Sequence, residues 1–313
     1  MNETTTIAKL SPQAADGADP GADTPAPTPA EDAPPQGEGR SFAIGTVARR
    51  GIQLFAVGVL AFVLFAYLFS GLAHARAQVG LQRRFRAELA SNSAPVGGTI
   101  PTGAPVAMLQ IPAIGVTEAV VEGSRSSQLR SGPGHVVGTP LPGQPGNAVV
   151  AGRRTLYGGP FRRIGSLRSG DLIHVATGEG NATYRVSGVV KLGADDGSFV
   201  QSHGDNRLTL FTTDSPWTAS GRLVVTATLR GNPLPPTTLA NALDADGLGL
   251  TGQRDAAPYM LVWLELLAGA ALLTAYALSR WSAPRVWLVF APVLALTLWL
   301  FFESFVRLLP ATL

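Results

Sequence analysis

The chain has 313 residues, of which 46% are hydrophobic and only 14% charged, whereas soluble domains average about 25% charged residues. This composition argues against a soluble enzyme, and the absence of cysteine excludes disulfides, thiolate metal sites and a cysteine nucleophile. The formal net charge is only +3 and the arginines are scattered, so no nucleic-acid partner is expected.

Apolar and turn-rich runs divide the chain into eight segments. Gly51 to Ala73 carries no charge over 23 residues and would span roughly 34 Å as a helix, enough to cross a membrane. A cleaved signal peptide is the alternative interpretation, because Ala73-His74-Ala75 has the small-x-small form of a cleavage site, but the length of the apolar run favours an anchor. The predicted segments are a disordered cytoplasmic tail (1–48), transmembrane helix 1 (49–73), a juxtamembrane helix and linker (74–103), a β-domain (104–230), a linker (231–255), transmembrane helix 2 (256–280), transmembrane helix 3 (285–306) and a C-terminal tail (307–313).

The arginines beside the apolar runs predict the orientation. Arg49 and Arg50 precede the first span, and Arg280 and Arg285 lie in the loop between the last two spans. The positive-inside rule places both groups in the cytoplasm. A multi-pass cell-membrane protein with an extracellular β-domain is therefore expected, and the membrane is its first predicted partner.

Four arginines on the predicted outer side oppose this orientation: Arg76, Arg83, Arg84 and Arg86. They favour an amphipathic juxtamembrane helix, residues 75–91, that lies against the membrane surface.

Residues 104–230 predict a mainly β domain. Short β-rich runs recur between Gly and Pro, a pattern typical of an all-β barrel or sandwich. One short helix is predicted from Pro160 to Leu167. The predicted strands cover residues 106–111, 117–121, 147–151, 171–176, 182–192, 207–213 and 222–229.

The same region carries a series of short motifs in a fixed order: LQIPAIGV (109–116), VEG (121–123), LRSGPGH (129–135), TPLPG (139–143), GNAVVAG (146–152), YGGPF (157–161), LRSGD (167–171), RLTLFTTD (207–214) and RLVVTA (222–227). This series resembles the bacterial sortase family, most closely the class E type of high-GC Gram-positive bacteria. The resemblance implies a sortase-type eight-stranded β-barrel. Family members cleave a Leu-Pro-x-Thr-Gly-like sorting signal through a thioester and pass the acyl group to an amine.

The resemblance also implies three catalytic positions, two of which are substituted here. The family's histidine, which protonates the leaving amine, corresponds to Arg153, and its nucleophilic cysteine corresponds to Asp214. Only Arg222 matches its catalytic counterpart. A guanidinium with a pKa above about 12 does not exchange protons near neutrality, and a carboxylate is a poor nucleophile toward an amide.

The chain is therefore interpreted as a membrane-anchored, catalytically inactive sortase homologue, a pseudo-sortase that binds or scaffolds an extended peptide or a surface protein. One alternative is a cysteine-independent transpeptidase or hydrolase that uses another nucleophile such as Ser215. Another is a structural membrane component whose function lies in the last two helices. The opposite charges at the catalytic positions also suggest a salt-bridge cluster of Asp214, Arg153 and Arg222, against the alternative that each side chain is separately solvated.

The remaining polar residues predict no cofactor and no metal site. His135, His174 and His203 share no ligand motif, and Asp195 and Asp196 read as a turn. Two carboxylates lie inside predicted spans, Glu265 and Glu303, where such groups are costly and often functional. Arg307 lies four residues after Glu303 and is positioned to pair with it along the helix.

Overall fold

The computed structural model describes residues 49, 52–53, 56–216, 220–237, 242–244, 248 and 254–313, and the predicted tail 1–48 lies outside the described residues. The first element is a continuous helix, α1 (Ala56–Ala90), with one wider π-helical turn at Phe65–Phe69. It begins in the apolar run and continues beyond it through Ser70–Ala90.

Residues 105–230 form a closed eight-stranded barrel, which confirms the predicted fold class. Neighbouring strands follow the order β1-β2-β3-β4-β7-β8-β6-β5. The pairs β2–β3 and β4–β7 are parallel, and every other pair is antiparallel. The strands are β1 (Pro105–Ile111), β2 (Val116–Glu122), β3 (Gly134–His135), β4 (Asn147–Ala151), β5 (Leu172–Thr177), β6 (Gly180–Gly193), β7 (Arg207–Thr213) and β8 (Gly221–Arg230).

Alternation along β4, β7 and β8 gives the barrel wall two apolar faces. One set of side chains belongs to the main core, with Val150, Leu210 and Val225 among its fully buried members. Their chain neighbours Val149 and Phe211 belong to a second apolar cluster, because successive strand residues point to opposite faces. We call this second apolar surface the outer groove; its strand residues are Val149, Ala151, Phe211 and Val224.

Two local elements differ from the sequence-based prediction. The strand β3 has only two residues, too few to show an alternating pattern, and pairs with β2 and β4. The predicted helix from Pro160 to Leu167 is wrong, because only a 3₁₀ turn at Ile164–Ser166 forms there. The four-residue helix α2 (Ser126–Leu129) follows β2.

The second half of α1 covers the predicted juxtamembrane helix and packs one face on the barrel, while Arg76, Arg83, Arg84 and Arg86 stay exposed. The Gln78 amide donates to the Ala119 carbonyl at 3.1 Å and accepts from the Ala119 N–H at 2.8 Å. His74 Nε2 lies 3.1 Å from the Glu118 carboxylate, and Phe85 is completely buried. The hydrogen bonds hold this face of the helix to β2.

The chain closes with two further apolar helices, α3 (Ala257–Arg280) and α4 (Ala283–Leu308). Together with α1 they make three helices long and apolar enough to span a membrane, one N-terminal and two C-terminal to the barrel, as predicted. Edge-to-face aromatic contacts join α1 to α4, with Phe65 and Trp299 centroids 5.1 Å apart. The C-terminal end of α4 reaches the barrel, where Glu303 accepts from Arg130 at 2.7 Å.

Candidate functional site

The three predicted site residues lie at one end of the barrel, where β4 and β7 finish. These strands are parallel, and Ala151 on β4 pairs with Phe211 on β7. Arg153 therefore follows the end of one strand and Asp214 the end of its neighbour. Arg222 on β8 pairs with Thr213, the residue before Asp214. The strand register thus brings positions from three separate sequence motifs to one rim.

Arg153 is a buried cation whose partners are not carboxylates. Its side chain is fully buried, and Nη2 donates to the Ser126 carbonyl at 3.1 Å and to its hydroxyl at 2.9 Å. The guanidinium carbon lies 4.9 Å from the centroid of the Tyr157 ring, a cation–π contact. Nε and Nη1 have no hydrogen-bond partner among the described residues. Burial lowers the pKa of Arg153 to about 10, so the group stays charged at neutral pH.

The loop after Arg153 connects the rim to the membrane helices. Tyr157 adopts the left-handed backbone conformation, with φ of 50°, which is uncommon for a non-glycine residue. Its N–H donates to the Ser70 hydroxyl of α1 at 3.1 Å. Tyr157 and Leu156 pack in one apolar cluster with Phe65 of α1 and Phe302 of α4. The wall of the site is therefore held by the helices as well as by the barrel.

Asp214 caps the connection between β7 and β8. One carboxylate oxygen accepts from the Gly221 N–H at 2.9 Å, and the Ser220 hydroxyl lies 3.3 Å from both oxygens. The Asp214 N–H in turn donates to the Gly221 carbonyl at 3.0 Å. The carboxylate thus satisfies local backbone donors, as Asp commonly does in turns.

Arg222 binds backbone carbonyls of two other segments. Nη1 donates to the Asp196 carbonyl at 3.1 Å and to the Ala194 carbonyl, and Nε and Nη2 face the Leu248 carbonyl at 3.4 and 3.3 Å. Burial lowers the pKa of Arg222, and the nearby charges of Asp195 and Asp196 oppose that change.

The predicted salt-bridge cluster is therefore wrong. In the described part of the chain, no ion pair joins Asp214 to Arg153 or to Arg222. The physical reason is that each charged group has other polar partners. Asp214 accepts from the Gly221 N–H of its own connection, Arg153 donates to Ser126, and Arg222 donates to backbone carbonyls of other segments. The sequence shows charges but not which backbone groups they meet.

The same rim holds a segment that was predicted only as a tail, residues 309–313. Ala311, Thr312 and Leu313 are buried, with 2%, 0% and 5% of their surface exposed. The Thr312 carbonyl accepts from the Arg154 N–H at 2.9 Å, and the Thr212 and Thr213 hydroxyls lie 3.3 and 3.5 Å from it. The side chain of Ala311 packs in the outer groove.

Comparison with known proteins identifies the domain. The sortase-domain family model matches residues 109–230. Residues 109–230 are a sortase-family domain. Sortase D of Bacillus subtilis (strain 168) is 29% identical over 120 residues, which is 38% of this chain and 59% of that protein. Sortase A of Bacillus anthracis is 32% identical over 127 residues, 40% of this chain and 60% of that protein. The chain thus spans less than two thirds of the length of these relatives.

Solved structures of sortases are also similar. Sortase E from Streptomyces avermitilis is 33% identical, with a TM-score of 0.39, and the alignment covers 44% of this chain and 93% of that structure. A Clostridium perfringens sortase transpeptidase is 24% identical, with a TM-score of 0.44, over 51% of this chain and 99% of that structure.

A sequence signal for residues 309–313 was present and was missed. The segment reads Leu-Pro-Ala-Thr-Leu, and its first four residues fit the Leu-Pro-x-Thr part of the sorting signal that the sortase resemblance implies. Residues 309–313 follow directly on an apolar helix, and this position in the sequence predicts only a tail. The match to Leu-Pro-x-Thr is informative because the segment lies on the rim of the sortase domain.

The other candidate residues lie away from this rim or carry structural contacts. Glu303 accepts from Arg307 at 3.0 Å, so that predicted pair is confirmed, and it also binds Arg130. Glu265 is exposed on α3. His135 is buried with Nδ1 2.8 Å from the Glu122 carboxylate, and its Nε2 faces the Pro140 carbonyl at 3.0 Å. The remaining two histidines contact local groups: His174 the Thr183 hydroxyl and His203 the Gln201 carbonyl.

Substitution of Asp214 tests whether its carboxylate acts as a turn cap. Asp214→Ala is expected to cost about 1 kcal/mol of unfolding free energy, because the Gly221 N–H loses its acceptor. Asp214→Asn keeps an acceptor oxygen and should cost less than half as much. Thermal unfolding of the full chain at low and high ionic strength measures both effects, with the exposed Asp255→Ala as the matched control. A loss that shrinks strongly with added salt would instead indicate an ion pair.

Proposed function

We propose that this chain is a membrane-anchored, extracytoplasmic member of the sortase family that is catalytically inactive and binds an extended peptide or a surface protein at the cell membrane. The three apolar helices and the arginines beside them support the membrane topology, with the barrel on the outer side. The barrel and the end of α4 lie on one side of the spans, since Arg130 binds Glu303.

The side chains at the two substituted catalytic positions support catalytic inactivity. Acyl transfer needs a nucleophile and a group that protonates the leaving amine. Arg153 is buried and carries a fixed charge, and the Asp214 carboxylate caps a turn. A mixed anhydride formed by that carboxylate would lie further above the amide in free energy than a thioester does, so the covalent route loses an accessible intermediate as well as the nucleophile.

The surface beside these residues supports a binding role. The outer groove offers apolar side chains flanked by backbone and hydroxyl donors, which is the chemistry that an extended peptide requires. Ala311 of the segment 309–313 packs in the groove and the Thr312 carbonyl is bound beside it, so this surface accommodates peptide backbone and a small side chain.

A turnover assay tests the proposal. The full chain in detergent or nanodiscs is incubated with a fluorogenic Leu-Pro-x-Thr-Gly peptide and an amine acceptor, and cleavage and covalent adducts are followed by mass spectrometry. We expect neither product above the rate without protein. Ser215→Ala and Asp214→Ala test whether either side chain acts as a nucleophile; among the described residues, no hydrogen bond joins Ser215 to a histidine or a carboxylate. Cleavage that is lost in Ser215→Ala or Asp214→Ala would overturn inactivity and establish the hydrolase alternative.

A further inference from the structure

The outer groove is covered by residues of the same chain. Val149 and Ala151 of β4, Phe211 of β7 and Val224 of β8 give it an apolar floor. Ala311 packs into this cluster with 2% of its surface exposed. Leu129, Val136 and Phe199 pack in the same cluster, so the segment covers the part of the groove that Ala311 contacts. Burial of this small apolar side chain on an apolar strand surface is favourable.

The backbone of the segment is bound as well as its side chains. Three donors converge on the Thr312 carbonyl: the Arg154 N–H from the loop after β4, and the hydroxyls of Thr212 and Thr213 from the end of β7. The Leu156 N–H also faces the Leu313 carbonyl at 3.4 Å. Donors from both sides of the rim therefore fix the carbonyl between Thr312 and Leu313.

Residues 309–313 include a turn and are attached to the end of helix α4. The Leu313 N–H donates to the Pro310 carbonyl at 3.1 Å, which closes a turn over 310–313. Leu309 packs against the cluster that contains Tyr157 and Phe302. Helix α4 ends at Leu308 and is tied to the barrel through Glu303 and Arg130, so the segment is attached to the helix with no intervening residue. Such a direct attachment keeps the effective concentration of the segment at the groove high, of millimolar order or above.

We propose that residues 309–313 are an intramolecular peptide ligand that keeps the outer groove closed. A peptide with the same Leu-Pro-Ala-Thr chemistry supplied from another molecule then binds only after this segment leaves. The binding of such external peptides rests on the proposed function, whereas the intramolecular contact does not. The apparent dissociation constant for an external peptide is raised by the small fraction of molecules whose groove is open.

A labelling experiment tests the intramolecular contact alone. The chain has no cysteine, so Ala311→Cys introduces its single thiol. We expect this thiol to react with a maleimide about 10-fold or more slowly than the thiol of Ala113→Cys, an exposed position, because reaction requires local opening. Adding Thr212→Val and Thr213→Val to Ala311→Cys removes two donors to the Thr312 carbonyl and should accelerate labelling. Equal rates at the two positions, or slow labelling that the valine substitutions leave unchanged, would overturn the proposal.

A binding experiment tests displacement and separates the two proposals. Ala311→Asp places a charge in the apolar cluster and should expel the segment, whereas Ala113→Asp adds the same charge at an exposed site. We expect a fluorescent Leu-Pro-Ala-Thr-Leu peptide to bind Ala311→Asp about 10-fold more tightly than the native chain or Ala113→Asp. Equal, measurable binding to all three would overturn closure of the groove. Absence of binding to all three would overturn the proposed peptide-binding function, while the labelling rates decide the intramolecular contact.

Discussion

Replacing Arg153 is expected to change stability in opposite directions according to the size of the new side chain. Arg153→Met keeps most of the volume and removes a fully buried cation that has no carboxylate partner among the described residues. Such replacements commonly stabilise, and we expect a gain of about 1–3 kcal/mol. Arg153→Ala removes the same charge but leaves a cavity beside Tyr157, and cavities of this kind cost about 2–5 kcal/mol. The net result for alanine is a loss of stability.

Thermal unfolding of the full chain in detergent measures this pair of effects. For a domain of this size, the midpoint shifts by about 2–4 °C per kcal/mol. Arg162→Met is the matched control, because Arg162 is exposed and its replacement should change the midpoint little. If Arg153→Met lowers the midpoint, the bonds to Ser126 and the contact with Tyr157 outweigh the cost of burying the charge.

The barrel was predictable because strand residues repeat with a period of two. All but one of its strands coincided with an apolar run, and the exception, Gly134–His135, is too short to have a period. Its position depends on pairing with Val121 and Val150, which lie in distant parts of the sequence. Local periodicity contains no information about such pairing.

The convergence of Arg153, Asp214 and Arg222 at one rim followed from the sortase resemblance, whereas their contacts did not. Opposite charges suggested ion pairs, but the Asp214 carboxylate meets the Gly221 N–H and Arg222 meets the Asp196 carbonyl. The partners are backbone groups, which every sequence contains and no sequence pattern distinguishes.

The same limit applies to the two segments beside the membrane helices. Residues 75–91 carry arginines that suggested contact with lipid, yet Gln78, an ordinary polar residue in the pattern, bonds to the Ala119 backbone and fixes the helix to the barrel. Residues 309–313 followed an apolar helix and read as its tail. Only the tertiary contact between α4 and the barrel brings them to the rim.

Restoring the two family residues is expected to make the chain cleave itself, which is the second large predicted effect. In the double substitution Arg153→His and Asp214→Cys, a thiolate at position 214 would attack the Thr312 carbonyl carbon and form a thioester. The imidazolium at position 153 would protonate the leaving amine of Leu313, and water would then hydrolyse the thioester to a Thr312 carboxylate. We therefore expect cleavage of the bond between Thr312 and Leu313, because three donors already hold this carbonyl at the rim.

Intact-mass spectrometry of the full chain follows this cleavage over time. Asp214→Cys alone lacks the proton donor, and its cleavage should be slower by about 10²–10⁴-fold. Adding Ala311→Asp to the double variant expels the segment from the outer groove and should abolish cleavage at Thr312, which excludes a contaminating protease. A double variant that cleaves an added Leu-Pro-Ala-Thr-Leu peptide but leaves its own chain intact would show that the rim supports chemistry and that Thr312 is not held in reach of position 214. Cleavage of its own chain would link the buried segment, the substituted catalytic positions and the sortase ancestry of the barrel in a single reaction.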